Sequence, residues 1–289
     1  MTRLIDGKHI AFLKRQEINQ DALVFKQTYH RAPGLAVILV GHDPASEIYV
    51  RRKIEACQQV SITSFLHQFD VETSQDTLHQ TIHQLNNNPA VDGILLQLPL
   101  PKHLDAMKAV SVISPHKDVD GLHPYNQGLL NQGRPTFAPC TPQGCIQLLH
   151  SCCDSLVGAN IVIVGRSILV GRPLAAMLIN LNATVTLAHS YTKNLQTLCQ
   201  QADIVISVVG KPQFLTADYI KPGAIVIDVG INRIALPDGK AKLVGDVDFD
   251  NVAPKTSFIT PVPGGVGPMT IANLLLNTVK AARLNKNEE

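Results

Sequence analysis

The segment PASEIYVRRKIEAC, residues 44–57, has helical apolar spacing and sets Ser46, Tyr49 and Lys53 along one stripe at i, i+3 and i+7. Val50, Ile54 and Cys57 form the adjacent apolar stripe, which such a helix would turn toward a sheet. Tyr49 and Lys53 therefore stand at the border between a core and a cleft. A lysine there loses hydration, and positive charge from Arg51 or Arg52 would lower its pKa further. An amine brought toward neutrality can give and take protons as a general acid or base. Read on the helix alone, a lysine snorkelling beside a packed tyrosine fits the same pattern.

Two further segments carry polar groups where strands should end. DGILLQLPLP, residues 92–101, places Gln97 in an otherwise apolar strand that Pro99 and Pro101 must stop. The carboxyl end of a parallel strand is where α/β folds bind ligands. A buried amide needs a partner there, and the Lys53 amine is a plausible one; loose backbone groups would also serve. PHKDVDGLHP brings Asp118, Asp120 and Gly121 into a loop. Alternate acidic residues can hold a metal, but the rest of an EF-hand pattern is missing, so no metal is expected. A single carboxylate accepting N–H groups from a substrate ring is more economical. Asp with Gly is also an ordinary turn combination.

IVIVGRSILVGRP, residues 161–173, reads as strand, glycine turn and helix, which points backbone N–H groups at a phosphate. Gly165 permits the turn, Ser167 can donate a hydroxyl, and Gly171 leaves room for close backbone approach. The G-x-G-x-x-G spacing is absent, and a strand–loop–helix connection with incidental glycines is the competing reading. The next strand, TVTLAHSYT, ends in His189 and Ser190 with no carboxylate for ribose hydroxyls. With Arg166 directly after the turn, the pattern leans toward NADP, although Arg166 and Arg172 also suit a solvated surface pair.

These residues need two sets of parallel strands to position them. Leu35–Gly41, Ser61–Phe69 and Asp92–Leu98 read as strands, with helices over residues 45–60 and 74–87 between them. A second series comprises Ile161–Gly165, Thr184–His189, Asp203–Gly210 and Ala224–Gly230, with helices over 170–181 and 195–201. The strands are continuous apolar runs, as expected when both faces are buried. Further helices are expected over about 142–151 and 268–284, and residues 118–142 form a crossover rich in Gly, Pro, Asn and Asp. The fold class is α/β: two lobes with a cleft between them, the second a Rossmann-type doubly wound parallel sheet. The expected domains are 1–141 with 268–289, and 142–267.

The 289 residues carry a net charge of only +2, which gives no field for nucleic acid or an anionic membrane. The amino-terminal stretch alternates charged and apolar residues unlike a signal peptide, and no apolar run suits a membrane span. A cytoplasmic protein is expected. The six cysteines lack C-x-x-C spacing and read as free thiols.

Together these motifs resemble the bifunctional methylenetetrahydrofolate dehydrogenase/methenyltetrahydrofolate cyclohydrolase family. The likeness runs from about Leu35 to Ala282, through S-x-x-YV-x-x-K, DGILLQLPLP, KDVDG, PCTPQG, GRS-x-x-VGRP, DVGIN, GDVDF and TPVPGGVGPMT. It implies oxidation of 5,10-methylenetetrahydrofolate with NADP, then hydrolysis of the methenyl product to 10-formyltetrahydrofolate. It implies that Lys53 is the cyclohydrolase acid/base and that Gln97 holds and tunes it. Tyr49 would stack along the folate, and Asp120 would accept hydrogen bonds from the pterin. Arg166, Ser167, His189, Ser190 and Ile231, with Gly165 and Gly171, would line the cofactor. Pro263, Gly264 and Gly265, followed by Val266 and Pro268, would lie on the substrate side. The resemblance also implies a homodimer through the cofactor domains.

The chain departs from many relatives at Glu55, where they carry a base, and at Ser61, where they often carry glycine. Glu55 could pair with Lys53 or a nearby arginine and raise the lysine pKa. Three alternatives keep their place. One is a same-family dehydrogenase with weak cyclohydrolase activity. Another is a non-catalytic NADP-binding regulatory protein, and the last a small-acid dehydrogenase on a similar two-lobe plan.

Overall fold

The computed structural model describes residues 2–235 and 241–287. In chain order its elements begin β1 (Arg3–Leu4), α1 (Gly7–Tyr29), β2 (Gly34–Val40), α2 (Pro44–Gln59), β3 (Thr63–Phe69) and α3 (Gln75–Asn86). They continue β4 (Gly93–Leu96), α4 (Ala106–Val112), α5 (Pro124–Asn131), α6 (Cys140–His150), β5 (Asn160–Val164), α7 (Gly171–Asn180) and β6 (Thr184–Ala188). Next come α8 (Leu195–Gln201), β7 (Ile204–Ser207), β8 (Ile225–Asp228), β9 (Asn232–Ala235) and β10 (Ala241–Val244). The last are α9 (Phe249–Val252), β11 (Phe258–Ile259) and α10 (Val266–Asn287).

The chain divides into two compact units. One comprises Phe12–Cys140 and Ile271–Glu289. Its parallel sheet has the order β3-β2-β4, and every residue of the central strand, GLAVILV, is buried. Alternate side chains of β2 serve opposite faces, as strand geometry requires. Leu35, Val37 and Leu39 pack with Ile18 and Ala22 of α1, Val50 and Cys57 of α2, and Leu275 and Val279 of α10. Ala36, Ile38 and Val40 pack with Leu78 and Ile82 of α3 and Val110 of α4. Asp43 caps α2, its carboxylate accepting from the Ser46 N–H at 2.8 Å, and Pro44 occupies the first turn where no donor is lost. Past the end of α2, Ser61 holds φ at +56°, a region glycine enters without steric cost. The Ser61 hydroxyl donates to Asn19 Oδ1 at 3.0 Å.

The other unit comprises Met1–Ala11 and Thr141–Thr270. Its six strands, in the order β1-β11-β8-β7-β5-β6, are all parallel. The four expected strands form its body, with β11 and β1 added at one edge. At the amino terminus this grouping differs from the expected domain limits. Because β1 pairs with β11, residues up to Ala11 belong with this unit and not with the first. The limits Thr141–Thr270 otherwise lie close to the expected 142–267. β9 and β10 form a separate antiparallel ribbon. The helix α1 was not expected at all, and the irregular crossover read over 118–142 contains α5.

Candidate active site

In the first unit, α2 turns Lys53 inward until only 8% of it is exposed. Its Nζ donates to Gln97 Oε1 at 2.9 Å, just past the end of β4. Gln97 Nε2 donates to the Leu98 carbonyl at 2.6 Å, and that bond decides which way the amide faces. The expected Lys53–Gln97 pair is therefore present. Burial holds the lysine below its ordinary pKa, and the negative charge of Asp120 works against this more weakly. The expected contribution of Arg51 or Arg52 is absent from the lysine's environment. Arg51 is exposed and turns toward Glu55, with Nε to Oε1 at 4.0 Å. Glu55 is exposed as well, so it does not act on Lys53 as a partner. Tyr49, one turn before the lysine, is partly buried, and burial raises its phenol pKa.

Asp120, on the loop between α4 and α5, comes close enough to Lys53 for their charges to interact. Burial raises its carboxyl to about 6, against the opposing pull of Lys53. The Cys140 thiol lies within reach of the Asp120 carboxylate and donates to the Val119 carbonyl at 3.3 Å. Burial, with Asp120 beside it, pushes that thiol well above its usual pKa, so it stays protonated. Asn277 of α10 donates to the Val119 and Ala138 carbonyls at 2.9 and 3.1 Å, tying down both flanks of this loop. Asp118 has the turn-forming role: it accepts from Leu122 N, His123 N and Asn126 Nδ2 at 3.1, 2.9 and 2.8 Å. The two aspartates of the KDVDG motif thus separate into one that shapes the loop and one that faces the lysine.

In the second unit, β5 runs into Gly165, whose φ is +122° and whose Cα faces the Val208 carbonyl so closely that a Cβ would come within 2.5 Å. At Gly171 a Cβ would overlap the Gly165 carbonyl, so the first residue of α7 can sit directly on the turn only as glycine. Ser167 Oγ accepts from Val170 N and Gly171 N at 3.1 and 3.4 Å and retains its own proton to donate. Arg166 extends from the turn over the Tyr191 ring, its guanidinium carbon 5.8 Å from the centroid. That places the arginine beside the end of β6, where His189 accepts from Tyr191 N at 3.2 Å and Ser190 is exposed. The N-terminus of a ten-residue helix, a hydroxyl, an exposed guanidinium and a strand end without a carboxylate fit a dinucleotide bearing a 2′-phosphate. Ile231, exposed, lies between β8 and β9.

Pro263, Gly264 and Gly265 also belong to the second unit, following β11, with the Val262–Pro263 peptide cis. The Gly264 carbonyl accepts from Lys8 N at 3.0 Å, so the start of α1 buttresses this turn. Two features beside these residues escaped the sequence reading: Cys140 was read only as a free thiol, and the segment at Gly7–Lys8 carried no expected structure. The IDGK stretch preceding an apolar periodicity was the available sign of a helix start at Gly7.

Comparison with known proteins follows the same lines. Residues 5–120 match the catalytic domain of tetrahydrofolate dehydrogenase/cyclohydrolase, and residues 139–286 match its NAD(P)-binding domain. The bifunctional protein FolD of Zymomonas mobilis is 52% identical over 286 residues, spanning 97% of this chain and 96% of its own. Among solved structures, FolD of Campylobacter jejuni superposes with a TM-score of 0.94 at 45% identity, over 99% of this chain and 100% of its own. The FolD of Trypanosoma brucei, solved with NADP and an inhibitor, gives a TM-score of 0.95 at 36% identity, over 99% and 98% of the two chains. Shikimate 5-dehydrogenase of Thermus thermophilus, at 15% identity and a TM-score of 0.52 over 86% of this chain and 99% of its own, shares the fold alone. With both domain models matched and half of all residues shared along the full length, the chain belongs to the tetrahydrofolate dehydrogenase/cyclohydrolase family.

Proposed function

We propose that the protein oxidises 5,10-methylenetetrahydrofolate to the 5,10-methenyl cation and hydrolyses that cation to 10-formyltetrahydrofolate. The observation that carries this is the buried Lys53, oriented by Gln97 and facing Asp120 in a family member. NADP supplies the hydride acceptor when bound, and Gly165, Arg166, Ser167, Gly171, His189, Ser190 and Ile231 are the residues that would hold it. Oxidation leaves a cation delocalised over N5 and N10, so that step asks no side chain to move a proton.

The hydrolytic step does. Water adds to the methenyl carbon, and the Lys53 amine takes the proton that the water releases. The bond from that carbon to N5 then breaks, and the Lys53 ammonium returns its proton to N5, leaving the formyl group on N10. The carbinol proton departs to solvent, which balances the charge of the cation. A lysine held below its ordinary pKa supports this cycle near neutrality, and Gln97 keeps its amine aimed. Asp120 keeps a carboxylate next to the amine and accepts N–H groups of the pterin, while Tyr49 provides an aromatic face for the ring. Pro263, Gly264 and Gly265 contribute to the substrate side.

This makes the protein both oxidoreductase and hydrolase in tetrahydrofolate one-carbon interconversion. No helix among the described residues is long and apolar enough to cross a membrane. We place the protein in the cytoplasm, as a homodimer through its cofactor domain. The test is purified protein with methylenetetrahydrofolate and either NADP or NAD. Reduction of NADP at the higher initial rate, followed by 10-formyl product, is expected; no reduction of either dinucleotide would refute the reading.

A further inference from the structure

Beyond the cofactor turn itself, the second unit contains a buried carboxylate that the chemistry above does not use. Asp246 is fully buried. Its Oδ2 accepts from Ser207 Oγ at 3.2 Å, Val209 N at 2.8 Å and Gly210 N at 3.1 Å. Its Oδ1 accepts from Lys211 N and from Asn232 Nδ2, both at 2.9 Å. Five donors saturate a group with about four lone-pair sites, so the ionised form is satisfied without a cation. Asp228 secures Asp246 in turn, accepting from the Asp246 and Val247 N–H groups at 3.0 and 2.9 Å.

All the segments that Asp246 gathers lie at the carboxyl edge of the sheet. Ser207 ends β7 and residues 208–211 follow it; Val208 of that loop packs against the Gly165 turn, with Val208 N donating to the Val164 carbonyl at 2.8 Å. Asn232 ends the connection from β8 that carries Ile231. At Gly230, in the same connection, a Cβ would overlap the Asp246 carboxylate. The strand order places β7 beside β5, while the chain leaves β5 through α7 to β6 on the opposite side. The crevice between β5 and β7 is therefore the topological switch point, where doubly wound sheets bind ligands.

We propose that Asp246 is a positioning residue for the dinucleotide: its carboxylate fixes the 207–211 loop and the 229–232 connection against the Gly165 turn without touching the cofactor. This rests on the functional reading above. An Asp246→Asn change keeps the volume but turns an amide N–H₂ toward at least two of the five donors, so the loops must part. Ser207→Ala removes a single donor and serves as the milder variant.

The experiment is calorimetric titration of purified protein with NADP, alongside KM and kcat for NADP reduction and the rate of methenyl hydrolysis without dinucleotide. For Asp246→Asn, the Kd and KM for NADP should rise at least tenfold while dinucleotide-free hydrolysis stays within twofold of wild type. Ser207→Ala should shift Kd in the same direction by two- to fivefold. A lowered Tm with unchanged Kd would overturn the proposal, as would hydrolysis and NADP affinity falling together. If Asp246→Asn does not fold, an unchanged Kd in Ser207→Ala overturns it and the expected rise supports it. Wild-type protein that neither binds NADP nor reduces it would instead defeat the functional reading, before any variant is made.

Discussion

Lys53→Met separates the two proposed reactions most sharply. Methionine fills nearly the same buried volume at a position only 8% exposed, so packing is largely kept. What disappears is the amine, and with it the donor to Gln97 Oε1. Leaving that half-buried oxygen without its partner costs about 1 kcal/mol, and the removed desolvation of a buried ammonium offsets part of this. Stability should therefore change by less than about 2 kcal/mol. Catalysis is a different matter. A positioned general acid or base is worth about 10²- to 10⁴-fold, or roughly 3–5 kcal/mol of barrier. The methenyl hydrolysis rate should fall by at least about 100-fold on that basis. NADP reduction should fall by less than about tenfold, because its charge ends delocalised over two nitrogens and no proton crosses to the lysine. The assay follows methenyl absorbance in single turnovers with NADP, then with methenyl substrate supplied alone. Accumulation of the methenyl species in the variant is the expected signature. Hydrolysis within threefold of wild type, in protein that still reduces NADP, would show that another group moves the proton.

Four further outcomes are expected. For wild type, activity should fall as pH drops through about 6, where the raised Asp120 carboxyl takes up its proton, and Asp120→Asn should be slow at every pH without that acid limb. Because the folded pKa of Asp120 lies above its unfolded value near 4, ionisation disfavours the fold; its contribution should decline from about pH 4 to 6, by at most about 3 kcal/mol, and denaturant titrations of Asp120→Asn should lack that slope. Arg166→Ala should weaken NADP binding at least tenfold while changing NAD affinity by less than threefold, as losing one charge-assisted contact of about 1.5–3 kcal/mol requires; equal losses would dissociate Arg166 from the 2′-phosphate. Gly171→Ala must push α7 off the Gly165 carbonyl, so calorimetry should show a weakened NADP Kd together with a Tm several degrees lower.

Much of this architecture was legible because parallel strands buried on both faces spell continuous apolar runs. GLAVILV and NIVIV cannot be read as anything half-exposed, and their helices show apolar spacing between them. The Lys53–Gln97 pair was legible for the opposite reason. A glutamine among leucines at a strand end must find a partner, and one helix offered an amine at the matching edge. The helix α1 was hidden although its buried residues Ala11, Ile18, Ala22 and Phe25 recur at seven, four and three positions. Phe12, Leu13 and Val24 stand on its exposed side, so the apolar stripe has no polar face to set it off. The strands β1 and β11 have two residues each, too few for any period to register.

Cys140 and Asp246 were missed for a different physical reason. Each acts on main-chain groups: Cys140 on the Val119 carbonyl, Asp246 on the N–H groups of Val209, Gly210 and Lys211. Every residue except proline carries such an N–H, so residue type says nothing about which ones a carboxylate will collect. Proximity alone decides, and proximity here comes from strands whose sequence separation is large. Asp246 lies 39 positions after Ser207 in the chain yet 3.2 Å from its hydroxyl, because β7 and the segment after β10 end side by side. Groups that react with substrate leave a trace in their own chemistry, whereas groups that hold a loop in place leave theirs only in the fold. A substitution series confined to residues with recognisable chemistry would therefore find Lys53 and Arg166 and pass over Asp246, whose replacement should weaken dinucleotide binding through the loops it holds.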